Sequence, residues 1–111
     1  NMRGAHIRNS NFEHADLSGT IFENADLSWA KLSNARMVQA WLHSANLHMA
    51  NLQGAKMIDA AIEYADLTDA IFDDDTSTSE FWRSTLSAEQ RTAAQQILRD
   101  RGARHVNDPA S

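Results

Sequence analysis

Five histidines, fifteen acids and a scatter of serines are the side chains in this 111-residue chain that could do chemistry, and there is no cysteine. Lack of cysteine removes both a disulfide framework and thiolate chemistry. His6, His14, His43, His48 and His105 show none of the helical or hairpin spacings that let imidazoles converge on a metal. Ser18, Ser28 and Ser33 have no elbow, base or oxyanion arrangement around them. No glycine-rich phosphate loop is present either. The acids face solvent in the arrangement derived below, with no pocket to shift their pKa values toward acid–base work. The sequence therefore offers no catalytic, cofactor-binding or metal-binding residue, and the expectation is that it is not an enzyme.

Charge narrows the partners. The formal net charge is −5, and up to Asp75 eleven acids stand against five bases, Arg3, Arg8, Lys31, Arg36 and Lys56. A direct grip on nucleic-acid phosphates through this region needs a basic stripe, and none is there. No apolar run approaches the roughly 18–20 residues that cross a membrane, and no signal peptide is visible. The expectation is a cytoplasmic protein that binds neither nucleic acid nor membrane directly. The opening Asn1-Met2-Arg3 is already in repeat phase, which fits either a native start at Met2 or a piece of something longer.

The elements that position these residues follow from an internal repeat. Cut at alanine, the chain reads AHIRN, SNFEH, ADLSG, TIFEN, ADLSW and onward in one register to Asp74. The central place is always large and apolar, as in Ile7, Phe12, Leu17, Phe22, Leu27 and Leu32. Two residues earlier the side chain is always small, as in Ala5, Ser10, Ala15, Thr20, Ala25 and Ala30. A straight helix fails, because a five-residue step rotates the apolar place by about 140° and winds it around every side. A flat strand fails because an odd period flips the apolar residue to the opposite face each time. A short extended segment followed by a bend works. Small and large residues then both point inward, and successive bends wind a solenoid around a packed core.

The tandem A(D/N)LXX pattern resembles the pentapeptide-repeat family over residues 1–74. The resemblance implies an all-β solenoid, a right-handed quadrilateral parallel β-helix with four repeats per turn. It also supplies the modulus of twenty, giving about three and a half coils. Core ladders would be Met2/Phe22/Leu42/Ile62, Ile7/Leu27/Leu47/Leu67, Phe12/Leu32/Leu52/Phe72 and Leu17/Met37/Met57, with phenylalanines plugging the ends.

The last coil needs cover, since a parallel coil leaves unpaired backbone at its edge. Residues 76–106 read as a polar loop and a C-terminal α-helical cap. Phe81 and Trp82 are placed to lie across the core, and Ser87 with Gln90 makes a capping box. The helix runs from Ala88 to about Arg101 and ends at Gly102. Residues 107–111 read as a frayed tail, leaving 1–75 as the repeat body. The N-terminal coil has no such cover, which suggests an upstream segment, a partner subunit or fraying.

With the inward places committed to packing, function falls to the outer faces. Ile21 and Trp41 stack in one column, with Val38 and Ile58 around the preceding corner and Trp29 and Met49 on another. Such clustering marks either a surface covered by the chain's own C-terminal helix or Trp82, a protein or homodimer interface, or nothing at all. Acids thicken at Asp59, Glu63, Asp66, Asp69, Asp73 and Asp74. Some members of the resembled family mimic duplex DNA and modulate a type II topoisomerase such as gyrase, sometimes conferring quinolone resistance, and here that would rest on these residues. Against it stand the short coil and the interspersed basic residues. The three expectations are a protein-binding scaffold, a topoisomerase-directed DNA mimic, and a structural appendage of a larger protein.

Overall fold

The computed structural model describes residues 1–73, 76, 96 and 98–107. Over 1–73 each five-residue unit makes one straight step and one turn. The small residue's N–H returns to the preceding central carbonyl, as Ala30 does to Leu27 at 3.0 Å. The second of the two residues between them takes a positive φ, 62° at Trp29 and 60° at Asn24. Both features together define a type II turn, whose third residue must be left-handed. Successive turns of one kind wind the chain into a coil.

The ladder steps by twenty residues. Parallel bridges join His6 to Asp26, Asp26 to Asn46 and Asn46 to Asp66 on one side, and Ile21 to Trp41 to Ala61 on another. Three N–H groups of each inner repeat bond to the neighbouring coil: Asp26 to Ala5, Leu27 to Asn46 and Trp29 to His48, at 2.7–2.8 Å. Four repeats therefore close one turn. The core is the set of central residues plus the alanines. Phe22, Leu27, Leu32, Met37, Leu42, Leu47, Leu52, Leu67 and Phe72 are fully buried. Met2, Ile7 and Phe12 in the first coil, and Ile62 near the other end, are only partly buried. Phe72 serves as an end plug, whereas Phe12 stays partly open.

Beyond the repeats, Gln96 and residues 98–100 are helical, and Arg101 and Gly102 turn the chain. The loop, Phe81, Trp82, the capping box and the helix start at Ala88 lie outside the described residues. Gly102 is needed at that turn. Its φ is +96°, and a Cβ there would come within 3.0 Å of the Thr68 Cα.

The next residues do what the sequence reading does not foresee. Strand β1, Ile71–Phe72, pairs in parallel with strand β2, Arg104–His105. Leu67 N–H bonds to Arg101, Asp69 N–H to Gly102, and Arg104 N–H to Ala70. Ala103-Arg104-His105 thus takes the small, outward and central places of a further repeat. His105 lies edge-on to Phe72 at 5.2 Å, and the Arg99 guanidinium sits 5.4 Å from the same ring. Asn107, read from sequence as the first frayed residue, donates its N–H to His105 Nδ1 at 3.1 Å.

Candidate functional site

The outer surface is governed by one unclaimed donor. In every repeat of residues 1–73 the residue after the central one gives its N–H to no backbone carbonyl among the described residues. Where the residue before the central one is Asn or Asp, its side chain accepts that N–H two residues on. Asn11 takes Glu13, Asp16 takes Ser18, Asp26 takes Ser28, Asn46 takes His48, Asn51 takes Gln53 and Asp66 takes Thr68, at 2.9–3.1 Å. This is the Asx turn, and it explains why the repeat prefers Asp or Asn there. The carboxyls of Asp26 and Asp66 are held below the usual range first by the hydroxyls of Ser28 and Thr68, then by their N–H groups. Asp16 is lowered chiefly by the Ser18 N–H.

The apolar column breaks that rule. Ile21, Trp41 and Ala61 occupy the Asx place on one face, so Glu23, His43 and Glu63 keep bare N–H groups among the described residues. Trp41 is 51% exposed, while Ile21, Val38 and Ile58 are half-buried. Trp29 is 47% exposed and stands edge-on to His48 at 6.5 Å, with Met49 next in its column. The sequence reading missed Tyr64, 77% exposed and edge-on to His43 at 5.4 Å. Its signal was a bulky residue in the left-handed place, φ 62°, where Asn or Gly is at ease. Each imidazole thus leans on a different aromatic ring.

The acids are dispersed. Asp59, Glu63, Asp66 and Asp69 are exposed. Asp73 is partly buried, its Oδ1 accepting the N–H groups of Gly54 and Thr76 at 3.0 and 3.1 Å. Asp74 lies outside the described residues. Among the described residues no three His, Asp or Glu side chains gather as metal ligands, and no helix is long and apolar enough to cross a membrane.

The profile described as pentapeptide repeats matches in eight copies over residues 1–39, 21–59 and 35–74. Among solved structures the chain is similar to HetL, a pentapeptide repeat protein involved in heterocyst differentiation regulation from the cyanobacterium Nostoc sp. strain PCC 7120. Identity is 37% over 63% of this chain, with TM-score 0.62, and the match spans only 33% of HetL. It is also similar to alr5209, a pentapeptide repeat protein from Nostoc PCC 7120, at 26% identity, TM-score 0.61, and coverage of 91% and 76% of the two chains. No curated protein matches.

Proposed function

Because the chain belongs to the pentapeptide-repeat family, we propose that it is a non-enzymatic, cytoplasmic protein-binding module acting through its outer faces. The family's right-handed four-sided β-helix is the architecture that the twenty-residue ladder follows. We take the body as about three and a half coils, closed at the C-terminal end by a helical cap. The observation that carries the reading is Trp41, half exposed in a column where the fold itself favours Asp or Asn. An exposed tryptophan among Ile21, Val38 and Ile58 is the composition of an interface anchor. The partner is another protein or a second copy.

The topoisomerase-directed alternative has less support, since Lys31, Arg36 and Lys56 stand in the outer columns and interrupt the acids. The test is Trp41→Ala, followed by light scattering and by affinity capture from the native cell. Unchanged unfolding with loss of the dimer or of specific partners supports the reading. Unchanged mass and partner profile overturn it. Inhibition or protection of gyrase supercoiling at micromolar protein would favour the alternative.

A further inference from the structure

Around the Trp41 column the bases are matched and two of the acids are not. Arg3 pairs with Glu23 at 3.6 Å. Arg36 bridges to Asp16 in the next coil and adds to the pull that Ser18 exerts on the Asp16 carboxyl. Lys56 is engaged as well. His43, the neighbour of Glu63 in the next coil, stands edge-on to Tyr64 at 5.4 Å. Asp59 and Glu63, by contrast, are exposed, and neither carboxylate has a hydrogen bond or ion pair among the described residues. The two flank Ala61. Asp59 holds the left-handed place of the turn before it, φ 57°, and Glu63 lies about 7 Å beyond it on the same face. Ala61 bridges to Trp41, one coil and about 4.8 Å away. A methyl beside an indole makes a step in the column. One flank of the half-exposed Trp41 ring thus borders a low place with a carboxylate on either side.

We infer that this step over Ala61 receives an arginine from a basic, apolar-flanked segment of a protein partner, its guanidinium against the Trp41 indole and between the carboxylates of Asp59 and Glu63. This rests on the protein-binding reading above and names the chemistry of its partner. A guanidinium is planar, so it stacks on an aromatic face while its fork of N–H donors still reaches carboxylates at its rim. Bonds from a cation to an ionised acceptor are stronger than neutral ones. An acidic segment would meet two unmatched charges of its own sign here. A purely apolar segment would bury those charges without a counterion, at a cost. The small size of Ala61 is part of the site, since Ile21 fills the corresponding place on the other flank of Trp41. Val38 and Ile58, half-buried around the preceding corner, take the aliphatic neighbours of the arginine. The net charge of −5 works in the same direction.

Charge-neutral isosteres test the idea on both sides. Asparagine tolerates the left-handed region, so Asp59→Asn with Glu63→Gln removes both charges and leaves the coil its backbone bonds. Glu13→Gln with Asp69→Asn removes two exposed charges elsewhere and controls for net charge. The probe is an end-blocked octapeptide alternating Arg and Leu, titrated at about 0.15 M salt by calorimetry and NMR. A peptide with citrulline in place of arginine keeps the shape and loses the charge. Support is saturable Arg–Leu binding with shifts at the Ala61 and Glu63 amides and the Trp41 indole N–H. That binding should weaken at least about fivefold in the Asp59/Glu63 variant and less than about twofold in the Glu13/Asp69 variant. Equal weakening in the two double variants, equal binding of the citrulline peptide, or no Arg–Leu binding overturns the inference. If the Asp59/Glu63 variant fails to fold, the citrulline comparison and the shifts on the parent chain decide alone. Failure here leaves the protein-binding reading to the Trp41→Ala experiment, which uses native partners and not this probe.

Discussion

The carboxylate of Asp26 accepts two hydrogen bonds from Ser28, one from its N–H at 3.0 Å and one from its hydroxyl at 2.6 Å. Both favour the ionised form, which is why the Asp26 carboxyl is depressed. The folded value lies below the unfolded one, near 3.9. Its contribution to stability is therefore complete above about pH 4 and is lost as pH falls through the folded value. Asp16 and Asp66 are shifted in the same direction, whereas the caps at Asn11, Asn46 and Asn51 do not titrate. Asp26→Asn should keep the cap and flatten the acid limb of a stability–pH profile measured by urea unfolding. Asp26→Ala should cost about 1 kcal/mol at neutral pH. An acid limb identical in Asp26→Asn and the parent chain would refute the capping role.

The turn places supply a second expectation. Among the described residues eleven non-glycine residues hold a positive φ, Trp29, Gln39, Met49 and Tyr64 included. A left-handed side chain costs roughly 1–2 kcal/mol against glycine, less for Asn and Asp. Tyr64 is mostly exposed and returns little burial, so Tyr64→Asn should raise the unfolding free energy by about 1 kcal/mol at most. The converse holds at Gly54. There φ is +72°, and a Cβ would fall on Asn34 Oδ1. Gly54→Ala should destabilise by about 1–2 kcal/mol, and thermal unfolding of the two variants in opposite directions is the check.

Thr76 does for one repeat what no Asx residue can. Ile71 stands in the capping place, and the Asp73 N–H instead reaches Thr76 Oγ1 at 3.1 Å. The same fully buried hydroxyl lies 2.7 Å from the Leu52 carbonyl, to which it donates. Thr76→Val keeps the shape and removes both bonds, taking this acceptor from the Asp73 N–H and leaving the Leu52 carbonyl only the Ala55 N–H at 3.0 Å. The expected loss is about 1–3 kcal/mol. Thr76→Ser should recover most of it, and a valine variant as stable as the parent would refute the role.

The coil was legible because small and large residues recur at a fixed separation without interruption. No single helix or strand accommodates a period of five. The modulus of twenty was not legible from the residues and came with the family resemblance. The turn chemistry was present but unread: Asn9, Asn24 and Asn34, with Gly4, Gly19 and Gly54, all precede a small residue and all take positive φ. Asp66 reads from sequence only as a surface acid, because charge alone does not tell a solvated carboxylate from one bonded to a neighbouring N–H. Ala103-Arg104-His105 was hidden for a different reason. One isolated unit has no period, and its central residue is a histidine rather than an aliphatic. Trp41 stood out by type, while Tyr64 could be flagged only once its place was known to be left-handed.

Trp41 sets fold and function against each other. In its place an Asn side chain would reach the bare His43 N–H as Asn46 reaches that of His48 at 2.9 Å. The tryptophan forgoes that bond and leaves half its surface in water. Local rules broken without a packing return mark functional positions. Trp41→Asn should therefore stabilise the coil by about 0.5–1.5 kcal/mol while weakening partner binding as Trp41→Ala does. The opposed signs matter, because a tryptophan kept for stability would give losses in both measurements. Denaturant unfolding and partner affinity, measured on the same preparation, decide between the two. A Trp41→Asn protein that is less stable than the parent removes the argument that this column is shaped for a partner.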